Sequence, residues 1–428
     1  MKVAVVGGGW SGLAAAVELA GAGVCTTVFE AARQLGGRAR SVDLHGHRLD
    51  NGQHILVGAY RETLRLMRRV GADPDRLLKR LPLEIVCPGA RPKPFALRLP
   101  RLPKPWHLLA GLATTRGASL GDKLGALRLM HFLQRNGYRL GEDCTVGALL
   151  DRLHQHGALR RHLWEPLCLA ALNTPPAQAS AQIFANTLRD SLGADRAATD
   201  LLLPAVDLDR LFPALAAEFI SAHAGKVRVS SRVTRIDDGF EVGGDHFDAV
   251  VLAVGAHHAE RLLATDTTTQ ALARLVAGYV YEPIATIYCG YPAAVRLPWP
   301  MLGLAADEGD GLGQWAFDRG ALCGTAGVIA FVLSGSGAWQ RLDDATLVAT
   351  LHAELAAALN TRLPSARWQC VIRERRATFS CRPGLPRPTA RTARPGLWLA
   401  GDYVSADYPA TIEAAVRSGV AAARGILG

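Results

Sequence analysis

No Cys-x-x-Cys pair occurs among Cys25, Cys87, Cys144, Cys168, Cys289, Cys323, Cys370 and Cys381. Cysteines scattered in this way argue against zinc spacings and against a disulfide framework, so no metal is expected. They read as small buried apolar residues in a reducing cytoplasm. Long apolar runs are missing too. No window of about 18 residues escapes Gly, Pro or charge, so no spanning helix is expected. The first apolar run is broken at once by Gly7-Gly8-Gly9 and does not read as a signal peptide. Helix-turn-helix patterns, Cys/His fingers and aromatic RNA-binding signatures are all absent, which excludes nucleic acid as an expected partner. Acidic residues are in deficit. Against 38 Asp and Glu stand 48 Lys and Arg, mostly Arg, for a formal net charge of +10. Such a surplus favours anions, whether a phosphate-bearing cofactor or an acidic membrane surface. Repeats, linkers and low-complexity tracts are not found.

What remains is a globular chain of 428 residues, 49% hydrophobic and 20% charged, long enough for two interleaved domains. Its first thirty or so residues form a βαβ unit. "KVAVV" reads as a buried strand, "GGGWSG" as a turn, "LAAAVELAGAG" as a helix and "CTTVFEA" as the next strand. Gly7-x-Gly9-x-x-Gly12 occupies the turn. The first Gly permits the tight bend, the second lets backbone approach a pyrophosphate, and the third lets helix pack on strand. The helix start offers free N–H groups and partial positive charge to phosphate. Glu30, about twenty residues on, stands where an acid accepts from a ribose hydroxyl and repels a 2′-phosphate. "QLGGRARS" adds a second close backbone approach at Gly36-Gly37 and a phosphate-directed fork at Arg38.

"HRLDNGQHILVG" at 47–58 contains Asn-Gly, a strong hairpin signal. "SVDLHGHRLD" before it already reads as two strands turning at His45-Gly46. Asn51-Gly52 therefore falls at the strand exit, beside Asp50, Gln53 and His54. Residues 82–106 are rich in Pro and Arg, and no acid lies between Glu84 and Asp122. That stretch reads either as a surface for an anionic membrane or as a solvated hairpin and loop. Residues 107–200 are mostly helical. Residues 226–256 return to strands, read as a hairpin set, and end in the buried "DAVVLAVGA". Residues 266–380 alternate strands and helices, and "GLWLAGDYVSADYPATIEAAVRSG" gives strand, polar turn and a helix beginning at Thr411-Ile412.

GxGxxG with Glu30, "LGGR", "AVVLAVG" and "LWLAGD", in that order, resemble the flavin-containing amine oxidase and phytoene desaturase superfamily. The resemblance implies FAD. Gly7, Gly9, Ser11 and Gly12 would then cradle the pyrophosphate, Glu30 would hold the adenosine ribose, and Gly37 and Arg38 would lie at phosphate. Val233 would meet the adenine through its backbone. Gly401 and Asp402 would reach the ribityl or pyrophosphate region, and the helix from Thr411-Ile412 would point at the flavin edge where negative charge grows. Gly52 would lie against the isoalloxazine, where a side chain would collide with it.

"DNGQHILVGAYRETLRLM", "LNTPPAQASAQIF" with "NTLRDSL", and "GDYVSADYPATIEAAVRSG" more closely resemble the hydroxysqualene dehydroxylases, squalene-associated FAD-dependent desaturases of bacterial hopanoid pathways. The order of elements along the chain reads as an α/β fold: a Rossmann-like FAD-binding domain from 1–80, 204–265 and 382–428, with an inserted α+β substrate domain from 81–203 and 266–381. The family resemblance covers all three dinucleotide-domain segments and the first insert. It implies an oxidoreductase acting on an isoprenoid lipid, in the cytoplasm or peripherally at the inner face of the cytoplasmic membrane. Asp50, His54, Asp407 and Tyr408 are the candidate proton donors, and His54 alone has an ordinary pKa near neutrality. The rivals are a carotenoid or phytoene desaturase, an amine oxidase and a non-catalytic isoprenoid escort protein. No second nucleotide motif identifies an electron donor.

Overall fold

"KVAVV" and "CTTVF" form two buried parallel strands, Lys2–Val6 and Cys25–Phe29, paired from Lys2↔Cys25 to Val6↔Phe29. The computed structural model describes residues 1–44, 46–304 and 311–428. Helix Trp10–Gly21 connects these strands and is buried along nearly its whole length, because its small and apolar residues face the sheet on one side and other helices elsewhere. The sheet runs Lys226–Arg228, Cys25–Phe29, Lys2–Val6, Ala249–Leu252, Leu397–Leu399, with every neighbouring pair parallel. Its strands come from three separate stretches of chain, which makes it a Rossmann-like α/β domain with inserts. Strand order reverses at Lys2–Val6, and sheets of this kind bind ligands beyond the carboxyl ends at that point. Val3, Val5, Leu13, Val251 and Val416 are fully buried around the sheet, each burial contributing about 1.5–3 kcal/mol.

Helix Ile412–Leu427 lies against Trp10–Gly21. A Cβ at Gly419 would come 2.0 Å from the Ser11 carbonyl oxygen, so the two backbones touch. The inserts supply an antiparallel sheet ordered Met301–Gly303, Trp315–Asp318, Val328–Ser334, Tyr281–Gly290, Trp368–Phe379. Helix Asp344–Ala358 covers it, packing Leu347, Leu351 and Leu355 against Ile287 and Phe331. The stretch from 106 to 190 is mostly helical.

One expectation changes. The hairpin set expected over 226–256 shrinks to the two parallel strands and a short ribbon, Glu241–Val242 with Asp245–His246. "RVTRI" forms no strand, because Ser230 turns the chain away at φ +52° and the Ser231 N–H donates to the Glu30 carbonyl (2.8 Å) instead. The His45-Gly46 turn includes His45, which lies outside the described residues. The flanking strands Ser41–Leu44 and His47–Asp50 pair from Ser41↔Asp50 to Leu44↔His47, which leaves two residues for the connection.

Candidate active site

Gly7 has φ +113°, and a Cβ there would stand 2.5 Å from the Ala253 carbonyl oxygen. A Cβ at Gly12 would meet the Gly7 carbonyl oxygen at 1.9 Å. Strand and helix are therefore pressed together by the absence of side chains. Gly9 is different, since a Cβ would find nothing nearer than Gly37 Cα at 3.8 Å. Open space thus lies beside the start of helix Trp10–Gly21, whose first turn carries no side-chain cap and no acid. The "LGGR" loop forms the far wall, with the Gly36 N–H donating to the Gly8 carbonyl (2.8 Å). Glu30, just past its strand, accepts from the N–H groups of Gly8 (2.7 Å) and Ala32 (2.7 Å). Ser11 is buried in the first turn, and Val233 is half-buried in the irregular stretch after Ser231.

Arg38 and Asp402, read separately in the sequence, are ion-paired at 2.7 Å. They line one cleft with Gly255, His257, Tyr281, Arg376 and Tyr403. Three buried polar atoms of that cleft, Tyr281 Oη, Tyr403 Oη and His257 Nδ1, have no partner among the described residues. Unpaired buried groups are costly unless a ligand satisfies them. The glycine cradle and these waiting polar atoms fit a dinucleotide of the FAD type. Burial lowers the His257 pKa to about 4, so its ring is neutral. Arg387 arranges the adjoining loop. Its guanidinium donates to the carbonyls of Tyr403 (3.1 Å), Asp402 (2.7 Å) and Tyr408, and stacks on Phe379. Gly401 precedes this loop and donates its N–H to Ser418 Oγ (2.8 Å) on the last helix. Thr411 caps that helix through the Ala414 N–H (3.2 Å), and Ile412 is its first residue.

The strand exit at 50–54 is built on a buried ion pair. Asp50 Oδ2 accepts from Arg319 Nη1 (3.1 Å), and its Oδ1 from the Leu208 N–H and Ser41 Oγ (both 3.0 Å). The same Arg319 nitrogen reaches Gln53 Oε1 (3.1 Å), and Tyr288 Oη donates to the Asp50 carbonyl (3.0 Å). Asn51 Nδ2 donates to the Arg38 carbonyl (3.0 Å), which ties this exit to the "LGGR" loop. Gly52 sits at φ +102°, while a Cβ there would meet protein only at ordinary contact, 3.6 Å from Thr286 Oγ1. Backbone conformation, not crowding by protein atoms, therefore requires glycine. His54 Nδ1 lies 2.9 Å from the Gly52 carbonyl oxygen. As a carbonyl only accepts, Nδ1 carries a hydrogen and Nε2 is the titrating nitrogen. Loss of solvation lowers the His54 pKa, opposed by the Gly52 carbonyl and the Asp50 charge and aided by Arg38.

The other two candidates lie on the 401–408 loop. Tyr408 is buried, donates to Asp190 and lies under the Arg417 guanidinium, while Asp407 is exposed. Burial first, then Asp190, raises the Tyr408 pKa. Arg319, Tyr288, Arg387 and the Tyr281–Tyr403–His257 group escaped the sequence reading. Arg319, Tyr281 and Tyr288 lie in the second insert, where no motif singles them out. Tyr403 alone had a signal, being next to Asp402.

A parallel sheet with a glycine cradle at its switch point, and inserts that build an antiparallel sheet, define a dinucleotide-binding α/β protein. The model of flavin containing amine oxidoreductases matches residues 10–427, and the chain belongs to that family. Its cofactor is FAD. Among curated relatives, hydroxysqualene dehydroxylase of Rhodopseudomonas palustris (strain ATCC BAA-98 / CGA009) is 30% identical, over 98% of this chain and 97% of its own. Hydroxysqualene dehydroxylase of Zymomonas mobilis subsp. mobilis is 26% identical over the same shares, 98% and 97%. Cyclohexylamine oxidase from Brevibacterium oxydans IH-35A shares the fold at TM-score 0.67 and 18% identity, over 99% of this chain and 98% of that one.

Proposed function

We propose that this protein reduces hydroxysqualene to squalene. The observation that carries the reading is that similarity to hydroxysqualene dehydroxylases runs through nearly the whole length of both chains, cofactor and substrate parts together. Reduced FAD, when bound, supplies a hydride. The substrate's allylic C–O bond breaks, its oxygen leaves as water after accepting one proton, and a C–H bond takes its place. The chain must hold a long apolar molecule, exclude water and deliver that proton.

We assign the proton to His54 Nε2. Nδ1–H is held by the Gly52 carbonyl, which fixes the ring. Desolvation makes the protonated ring scarce at neutral pH but a stronger acid when formed. The Asp50 carboxylate accepts three hydrogen bonds, which supports a positioning role for it. The Tyr408 hydroxyl is committed to Asp190 and Asp407 faces solvent, so neither competes well. For the cofactor, we assign the pyrophosphate to Gly7, Gly9, Ser11 and Gly12 with Gly37 nearby, the adenosine ribose to Glu30 and the adenine to the Val233 backbone. Arg38 with Asp402 and Gly401 serves the phosphate and ribityl region, and Thr411-Ile412 the flavin edge. We place the enzyme in the cytoplasm, a reading supported by eight free cysteines.

The test is anaerobic incubation of the reduced enzyme with hydroxysqualene. Squalene and stoichiometric flavin reoxidation are expected. Absence of both, with oxidation of phytoene by the oxidised enzyme instead, overturns the reading in favour of a desaturase.

A further inference from the structure

Helices Trp106–Thr114 and Leu120–Arg135 carry an apolar surface that no other described residue covers. The second helix buries Ala126, Leu129 and Leu133 on one face. Leu120, Leu124 and Leu127, spaced i, i+4, i+7 along another, are 73%, 51% and 40% exposed. Leu102, Trp106 and Leu109 are exposed on and before the first helix, Trp106 to 62%. Six of the ten exposed large hydrophobic residues among the described ones thus fall between 102 and 127. The two helices are tied together, since Lys123 Nζ donates to the Ala113 carbonyl at the end of the first (2.7 Å).

Charge around this surface has one sign. Residues 85–141 hold a single acid, Asp122. Its carboxylate is turned back onto the Ser119 N–H (2.9 Å) in a capping box. Arg98, Arg101, Arg116, Arg128 and Arg135 are exposed in the same stretch. On the second helix the leucines Leu120, Leu124 and Leu127 give way along the axis to Arg128, His131 and Arg135. An outward apolar stripe with a tryptophan, ringed by arginine, fits the boundary of a bilayer with anionic head groups. A second copy of the chain would set like charge against like charge.

We propose that this face docks the protein on an anionic membrane. The purpose of docking, capture of a lipid substrate, rests on the function proposed above, but the surface itself does not. The experiment uses the holoenzyme and vesicles of phosphatidylglycerol with phosphatidylcholine, or of phosphatidylcholine alone, without substrate. Co-sedimentation with the anionic vesicles is expected. The Leu120→Ser/Leu124→Ser/Leu127→Ser variant should bind them about tenfold more weakly, while keeping its flavin spectrum and its turnover of detergent-dispersed substrate. Trp106→Ser should weaken binding in the same direction, and added salt should release part of it. Equal binding to both vesicle types, or unchanged binding by the leucine variant, overturns the proposal. So does a wild-type dimer in sedimentation velocity that the leucine variant dissolves, which would give the face to a second copy. Because vesicle binding needs no turnover, failure on hydroxysqualene would overturn the reaction and leave docking standing.

Discussion

His54 sits on a turn whose geometry belongs to its neighbours. Gly52 supplies the carbonyl, and Asp50 with Arg319 anchors the strand end before it. His54→Ala is expected to keep bound FAD and lower kcat by about 10²–10⁴, the range of a lost general acid. Stopped-flow reoxidation at a fixed flavin load would check this. In the native protein the rate should rise as pH falls toward the His54 pKa, because that pKa is lowered and the acid form grows below the ordinary histidine range. A pH-independent rate would remove His54 from the role. Arg319→Met leaves the Asp50 carboxylate buried without its cation, and loss of one partner of such a pair costs about 3–5 kcal/mol. Chemical denaturation of the holoenzyme should show that loss, and adding Asp50→Asn should recover much of it.

The elements explain why these side chains meet. Helix Ile412–Leu427 does two tasks at its first turn. Thr411 caps it, and Glu413, fully buried, reaches across to accept from Glu62 N–H (3.1 Å), Thr63 N–H (2.9 Å) and Thr63 Oγ1 (2.7 Å). One carboxylate thereby caps helix Arg61–Arg69 and locks it to the C-terminal helix. Glu413→Ala should cost about 1–3 kcal/mol by orphaning those donors. The expected signature is a lower denaturation midpoint and faster FAD loss on dilution. Much of this element level was legible. GxGxxG, "LGGR", "AVVLAVG" and the helix from Thr411-Ile412 are local patterns, each set by a few consecutive residues. The alternation in "RVTRI", within the 226–256 hairpin reading, says strand, while the positive φ of Ser230 takes the chain off the sheet edge. Nothing in a period-2 pattern reports that turn.

At the scale of the whole molecule, several histidines are held neutral by burial. His54, His107, His162, His257 and His258 all have pKa values lowered first by loss of solvation, His257 to about 4. Between these folded values and the ordinary value near 6.5 the unfolded chain binds more protons, so stability rises with pH there. The contribution is fully present above the unfolded pKa and is lost as pH falls toward the folded ones. Thermal unfolding followed by flavin fluorescence should give a Tm that drops between about pH 7 and about pH 5. A flat profile across that interval would contradict it.

The dinucleotide unit and the order of its parts are written in the amino-acid order, because glycine spacing, strand runs and helix caps are short-range. The same amino-acid order also located the strand exit at Asn51-Gly52, and there the reading sharpened. Within the chain, glycine is needed at 52 for its positive φ and not for crowding. Tertiary structure alone decided that Arg319 meets Asp50 across 269 positions and that Arg38 meets Asp402 across 364. It alone left Tyr281, Tyr403 and His257 facing one cleft. Those pairings join separate inserts and strands, and no local pattern carries contacts made at that separation. The leucine stripe on helix Leu120–Arg135 belongs to the same class. Its spacing says helix in any context, and only the packed fold shows which of its two apolar faces was left to water.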